Sequence, residues 1–236
     1  MLDVTFKIDG RRMRDLGLEL QSPLALSAPN PRVSTVKIPG RNGDLHYYDG
    51  SYDNRDLSGD CFILGADVMR KIGEINAFLL SKRGYRRIEL DEDPEHFMLG
   101  RSETGLSFKI VKGVLTACSV SFDVKPQRFL KYGEKEVNVT ESKEIRNPSA
   151  FISLPVIAVE GAGNVTLSSA EWSLNIKNLS GKVVYDAETL CAYSDEFNQN
   201  YHTAVSGNVV LSPGDNAFKV TGNVSAVKII PRWWEL

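Results

Sequence analysis

The sequence predicts a mainly β protein with one helix, built as an N-terminal β domain carrying a long β arm and a C-terminal β-sandwich. Three observations predict it. Most of the chain reads as short runs of strand-forming residues, many alternating with period two, separated by Gly, Pro, Asn and Asp. One segment alone, residues 66–82, recurs with a helical period. After Lys125-Pro126 the composition shifts toward frequent charges, and no helical period follows, so a domain junction is expected near residue 130 and the domains at 1–130 and 131–236.

Taken in order, Val4 to Ile8 alternates, and Asp9-Gly10 is a hairpin-type turn leading toward Leu16, Leu18 and Leu20. A proline-containing connection follows, in which no helix can form. Val33, Val36 and Ile38 then make an extended run that Pro39 stops, because proline removes a ladder donor. Gly40, Asn42, Gly43, Asp49, Gly50, Asp53 and Asn54 let the chain reverse before it extends again through Cys61-Phe62-Ile63. Residues 33–63 therefore read as a long two-stranded arm with a polar tip. Such a ribbon cannot bury a face by itself and needs something to lie against.

In the helical segment Val68, Ile72, Ile75 and Leu79 form a stripe widened by Met69 and Phe78, with Arg70, Lys71 and Glu74 facing away. A basic last turn and Gly84 end it. Arg86 to Leu90 and Phe97 to Gly100 read as a hairpin around the acidic turn Asp91 to Glu95. Phe108 to Val124 reads as one long alternating strand region, with Cys118, Val120 and Phe122 on one face. Beyond the junction, eight short runs between Val156 and Ile230, separated by turn residues, carry the signature of an antiparallel sandwich. Gly-Asn-Val recurs at Gly163, Gly207 and Gly222, each time entering a predicted strand.

Composition removes several function classes. A formal charge of −2 is not that of a protein gripping nucleic acid through its phosphates. The N-terminus has charges where a signal peptide needs an apolar core, and nothing approaches a spanning run of roughly 20 apolar residues, so a soluble chain made in the cytoplasm is expected, with no membrane insertion. Cys61, Cys118 and Cys191 are odd in number and widely spaced, and read as buried thiols rather than a disulfide framework or metal site. His46, His96 and His202 lie in polar turns or at strand edges and read as surface or capping groups. The acidic turn lacks calcium-loop spacing. There is no nucleophile elbow, phosphate loop or His-Glu-x-x-His, so no catalytic, metal or cofactor site is expected. The rival reading is a carbohydrate-binding, lectin-like sandwich, with Trp172, Trp233, Trp234 and Tyr193 as an aromatic platform. Against it, Trp172 alternates with Leu174 and Ile176 as core residues do, and adjacent Trp233 and Trp234 fall on opposite sides of the chain.

The stretch Ile38-Pro39-Gly40-Arg41-Asn42-Gly43-Asp44-Leu45, the following segment from Tyr48 to Leu64, and the terminal run Val227 to Trp234 together resemble the distal tail protein, or baseplate hub, family of long-tailed non-contractile bacteriophages. The resemblance covers nearly the whole chain, and its two motifs stand at opposite ends in the family's order. It implies a homohexameric ring at the distal end of a phage tail, with an arm that wraps the neighbouring subunit and a galectin-like C-terminal sandwich pointing outward. It implies, as partners, further copies of itself, the tail tube protein, a tail-tip or fibre protein and a receptor-binding protein, with DNA only passing through the lumen. It implies a virion tail-tip location after assembly in the bacterial host cytoplasm. By resemblance, Pro39, Gly40, Arg41, Asn42, Gly43 and Asp44 are the oligomerisation arm tip, and Pro231, Arg232 and Trp233 the closing motif of the sandwich, all structural. The chain is too short for the long carbohydrate-binding insertions found in some members.

Overall fold

The structure is a computed structural model that describes residues 5–64, 67–102, 104–111, 115–141, 143–194 and 197–236. It is mainly β with one described helix, Val68–Leu80. Its chain forms two compact units, one reaching Arg128 and including Leu236, the other Phe129–Glu235.

The first unit is built on an antiparallel sheet with strand order Arg11–Arg12, Phe6–Ile8, Arg86–Leu90, His96–Arg101, Leu115–Leu130, Arg55–Leu64, Leu18–Leu20. Ser107–Val111 also pairs with Leu115–Leu130, and Ala25–Leu26 with Arg55–Leu64. Alternation sends Leu57, Cys61 and Ile63 from one central strand, and Cys118, Val120, Phe122 and Val124 from the other, into one core. The helix buries Ile72, Ile75 and Leu79 in the same core. Phe6 meets Phe122 edge to face at 5.8 Å. Arg86 is buried at the side of this core, where its Nε donates to Asp9 Oδ2 at 3.0 Å and its guanidinium stacks over Phe78.

Four expectations change here. The helix occupies Val68–Leu80 rather than 66–82, and Met69, assigned to its apolar stripe, is exposed; Ala66 lies outside the described residues. The opening hairpin returns only over Arg11–Arg12, after which Met13–Leu16 forms a 3-10 turn. Leu18–Leu20 then joins the far edge of the sheet, where Leu18 faces Ile63. Its leucines gain more by closing the core than by extending a two-residue hairpin. The region 108–124 is two strands, Ser107–Val111 returning on Leu115–Leu130, because alternation continues in phase on both sides of the reversal and hides it. Finally, the arm is Pro31–Val36 paired with Leu45–Tyr52, while Arg55–Leu64, read as part of it, is a central strand of the sheet.

The second unit carries a sheet in the order Val137–Asn138, Lys219–Ile230, Val156–Ser168, Ser173–Asp186, Cys191–Ser194, Phe197–Asn198, with Thr203–Ser206 also pairing with Ser173–Asp186. A two-stranded sheet of Glu144–Asn147 with Gly214–Ala217 accompanies it. Their core includes Leu130, Ile157, Leu167, Trp172, Val227 and Trp233. The eight short runs are in part fused into three strands of 12 to 14 residues. Register shifts between Gly163 and Val165, and between Ala162 and Thr166, let a strand continue where the sequence suggests a turn. The crossing needs glycine. A Cβ on Gly161 would stand 2.3 Å from the Asn223 carbonyl oxygen, and one on Gly222 2.4 Å from that of Asn164. Of the Gly-Asn-Val triplets, those at Gly163 and Gly222 thus sit inside strands, and Gly207 leaves one.

Candidate assembly surface

The arm is the least covered part of the molecule. Its register sets Val36 opposite Leu45, Ser34 opposite Tyr47, and Val33 opposite Tyr48. Because successive residues alternate faces, Val36, Leu45 and Tyr47 lie on one side of the ribbon and Val33 and Tyr48 on the other. All five are exposed, Tyr47 at 64% and Val36 at 50%. Neither face of the ribbon is packed away, so the sheltering surface the sequence calls for is not supplied by the described residues.

Polar contacts hold the ribbon's shape. Thr35 Oγ1 and His46 Nδ1 meet at 3.1 Å across the strands, and Arg32 Nε donates to Asp53 Oδ1 at 2.7 Å. Tyr48 and Tyr52 rings meet edge to face; the hydrogen bond with Tyr52, then desolvation, pushes the Tyr48 hydroxyl up to about 12. At the tip the Arg41 amide donates to the Ile38 carbonyl, with Pro39 and Gly40 as the central residues and Gly40 at φ +78°. This is the geometry of a type II turn, in which Pro presets the first position and Gly takes the left-handed second. Pro39 to Asp44 are exposed throughout, and neither Arg41 nor Asp44 makes an ion pair among the described residues.

The root of the arm is tied to the sheet. Asn54 Nδ2 donates to Tyr85 Oη at 2.7 Å and to Asp123 Oδ2 at 3.0 Å. Asp56 and Ser27 exchange hydrogen bonds, the Asp56 amide to Ser27 Oγ and the Ser27 amide to the Asp56 carbonyl. Sequence reading missed Asn54, Tyr85 and Asp123 as a group, since they come from three separate segments; the only local signal was the turn-forming Asp53-Asn54 pair.

Pro231, Arg232 and Trp233, expected to close the sandwich, lie in the second unit. Trp233 is buried in the core, its carbonyl accepting from the Leu130 amide at 2.9 Å, and the Pro231 carbonyl accepts from the buried Ser153 hydroxyl. Arg232 has φ +58°, and its amide donates to the Gly133 carbonyl. Its guanidinium grips Asp186 with two bonds of 2.8 and 2.9 Å, a fork matched to a carboxylate. Burial raises the Asp186 carboxyl, but the Arg232 bonds outweigh it and hold that group below its ordinary value. Trp172 is buried with its Nε1 donating to the Val210 carbonyl, while Trp234 is partly exposed and stacks on Phe151 at 4.5 Å.

Other candidates are committed elsewhere. Asp93 of the acidic turn bonds His96 Nδ1 at 2.6 Å and Arg128 Nη1 at 3.0 Å. His46 is on the exposed arm and His202 in a short 3-10 turn. Cys61 and Cys118 are buried with their sulfurs 2.9 Å apart, whereas Cys191, expected to be buried, is partly exposed because its strand lies toward the edge of the second sheet. A cleft of about 570 Å³ in the second unit is lined largely by apolar groups, including Ile152, Leu154, Leu190 and Val205. Among the described residues no cluster of His, Cys, Asp or Glu is suited to a metal, and no helix is long and apolar enough to cross a membrane.

No protein-family model matches the chain, and no curated protein matches it. Among solved structures it is similar to the crystal structure of the SPP1 Dit (gp 19.1) protein, described as a paradigm of hub adsorption apparatus in phages that infect Gram-positive bacteria. The two share 16% sequence identity with a TM-score of 0.66, over 96% of each chain. Over nearly its whole length, then, this chain has the fold of a distal tail protein, the fold that the motifs at its two ends imply.

Proposed function

We propose that this chain is a structural protein of a phage tail, assembling through its arm into a six-membered ring at the distal end and joining the tail tube to tail-tip, fibre or receptor-binding proteins. The observation that carries it is a ribbon with large apolar side chains exposed on both faces, in a chain whose fold is that of a hub adsorption protein. Single exposed apolar groups need no explanation, but a contiguous set marks a contact surface. An arm from one subunit laid on the body of the next is a heterologous contact, which closes into a ring when the rotation allows. In this reading residues 1–130 form the ring and 131–236 a galectin-like sandwich that points outward. Pro39 to Asp44 touch the neighbour, and Pro231, Arg232 and Trp233 hold the sandwich shut. The ring assembles in the host cytoplasm and ends at the virion tail tip. A nearly neutral charge suits a lumen through which DNA must slide, since a basic lining would hold the duplex by its phosphates.

The carbohydrate-binding reading is weaker. Trp172 and Trp233 are core residues, and one face of the Trp234 ring is covered by Phe151. Light scattering on the purified chain at high concentration tests the proposal. A six-copy mass that falls to one copy in the double variant Val36→Asp, Tyr47→Asp supports it. A wild-type chain that stays monomeric at every concentration refutes it.

A further inference from the structure

Cys61 and Cys118 lie directly opposite each other across the antiparallel pairing of Arg55–Leu64 with Leu115–Leu130. Their Sγ atoms are 2.9 Å apart, closer than two unbonded sulfurs rest comfortably, both thiols are free, and both are buried. Cys191 makes its own sulfur contact locally, to the Thr189 carbonyl.

We propose that Cys61 and Cys118 are a reactive dithiol that peroxide converts into an intrachain disulfide, clipping the strand that follows the arm to the centre of its sheet. When one of the two ionises, its thiolate accepts the S–H of the other across this contact, which holds Cys118 down and pushes Cys61 up. Cys118, the more readily ionised of the two, attacks as its thiolate, since thiolate character is what makes a cysteine reactive. The Cys118 sulfur attacks one oxygen of hydrogen peroxide. The O–O bond breaks, Cys118 becomes a sulfenic acid, and the hydroxide released takes the proton of Cys61 and leaves as water. The Cys61 thiolate then attacks the sulfenyl sulfur, the S–S bond forms, the S–O bond breaks, and the hydroxide lost is protonated by solvent water's proton pool, which the first thiolate's ionisation had replenished. Two thiols and one peroxide thus give one disulfide and two waters, the two electrons passing from sulfur to oxygen. Burial favours a reagent this small over glutathione disulfide, and the waiting second thiol intercepts the sulfenic acid before it oxidises further.

The position has a mechanical consequence. Arg55, at the arm end, pairs with Val124, and the ladder runs from there to Leu64 opposite Leu115. Tension on the arm would open that ladder from Arg55 inward, and a covalent bond at Cys61 stops the opening short of its end. The bond would also close a loop between residues 57 apart in sequence, restricting the unfolded chain.

The test is peroxide treatment of the folded, full-length wild-type protein, followed by a non-reducing peptide map and a thermal melt. The expected result is a loss of two hydrogens, a single linked pair joining the Cys61 and Cys118 peptides, and an unfolding midpoint raised by about 5–10 °C and returned by dithiothreitol. Cys191→Ser should leave the link and the shift in place, and Cys118→Ser should abolish both. Two free thiols after exhaustive treatment, a link to Cys191 or between chains, or sulfinic acid at either position would each overturn the proposal. The wild-type map stands even if the Cys118 variant fails to fold.

Discussion

At the residue scale the second unit depends on a few groups that no window of sequence pairs. Arg232 and Asp186 are 46 residues apart, yet form a two-bond ion pair beside the buried Trp233. Removing one partner from a largely buried pair leaves the other charge uncompensated. Arg232→Ala should therefore lower the stability of this unit by about 1–3 kcal/mol, read from urea unfolding. Because the Asp186 carboxyl is held below its ordinary value when folded, the unfolded chain binds the extra proton first as pH falls. The stabilisation is present above the ordinary carboxylate value, about 4, and is lost as pH drops through the folded one. Asp186→Asn should flatten that part of the stability profile, without abolishing it, since Asp9 is depressed in the other unit despite its own desolvation, by bonds from Lys82 and Arg86. At Gly161 the backbone approach of Asn223 leaves no room for a methyl group, and Gly161→Ala should cost at least about 2 kcal/mol by the same measurement.

At the scale of elements, the arm and the helix respond to opposite rules. The helix places Ile75 at 0% exposure, so Ile75→Ala should destabilise the first unit by about 2–5 kcal/mol in chemical denaturation. The arm's exposed apolar side chains, Tyr47 among them, join neither buried core of their own chain. Tyr47→Ser should shift the unfolding midpoint by no more than about 0.5 kcal/mol equivalent, while assembly, read by light scattering, weakens. The extended run and the turn residues that marked the arm form a ribbon with a turn at its tip, but they did not say where the arm stops. Leu57, Cys61 and Ile63 are apolar residues of an extended run as Val33 and Val36 are, and have an entirely different fate. The difference comes from Leu115–Leu130, which supplies a ladder partner from far along the chain. The helix was legible to within about two residues at each end, because its period differs from everything around it, and so was the hairpin of Arg86–Leu90 with His96–Arg101, because the acidic turn between them marks the reversal.

At the scale of the whole molecule, each unit has its own buried cluster, one running from Phe6 to Val124 and the other from Leu130 to Trp233. A fragment of residues 129–236 should therefore melt cooperatively by itself in calorimetry, because it retains every buried group of the second cluster. The exposed tip was legible as a polar stretch rich in turn residues, and Pro231-Arg232-Trp233 as a run expected to close the sandwich. What the motif holds was not legible, since Gly133, Ser153 and Asp186 reach it from three distant segments.

The sequence by itself determined the class of fold, the place of the helix and the two stretches by which the chain resembles tail hub proteins, because period and turn chemistry are properties of neighbouring residues. Only the tertiary structure decided which alternating runs become core and which stay bare, which short runs fuse through a bulge, and that Cys61 faces Cys118. Those outcomes depend on long-range pairing, where a strand's fate is set by the partner the fold brings to it and a run of like-patterned residues carries no mark of which partner that is.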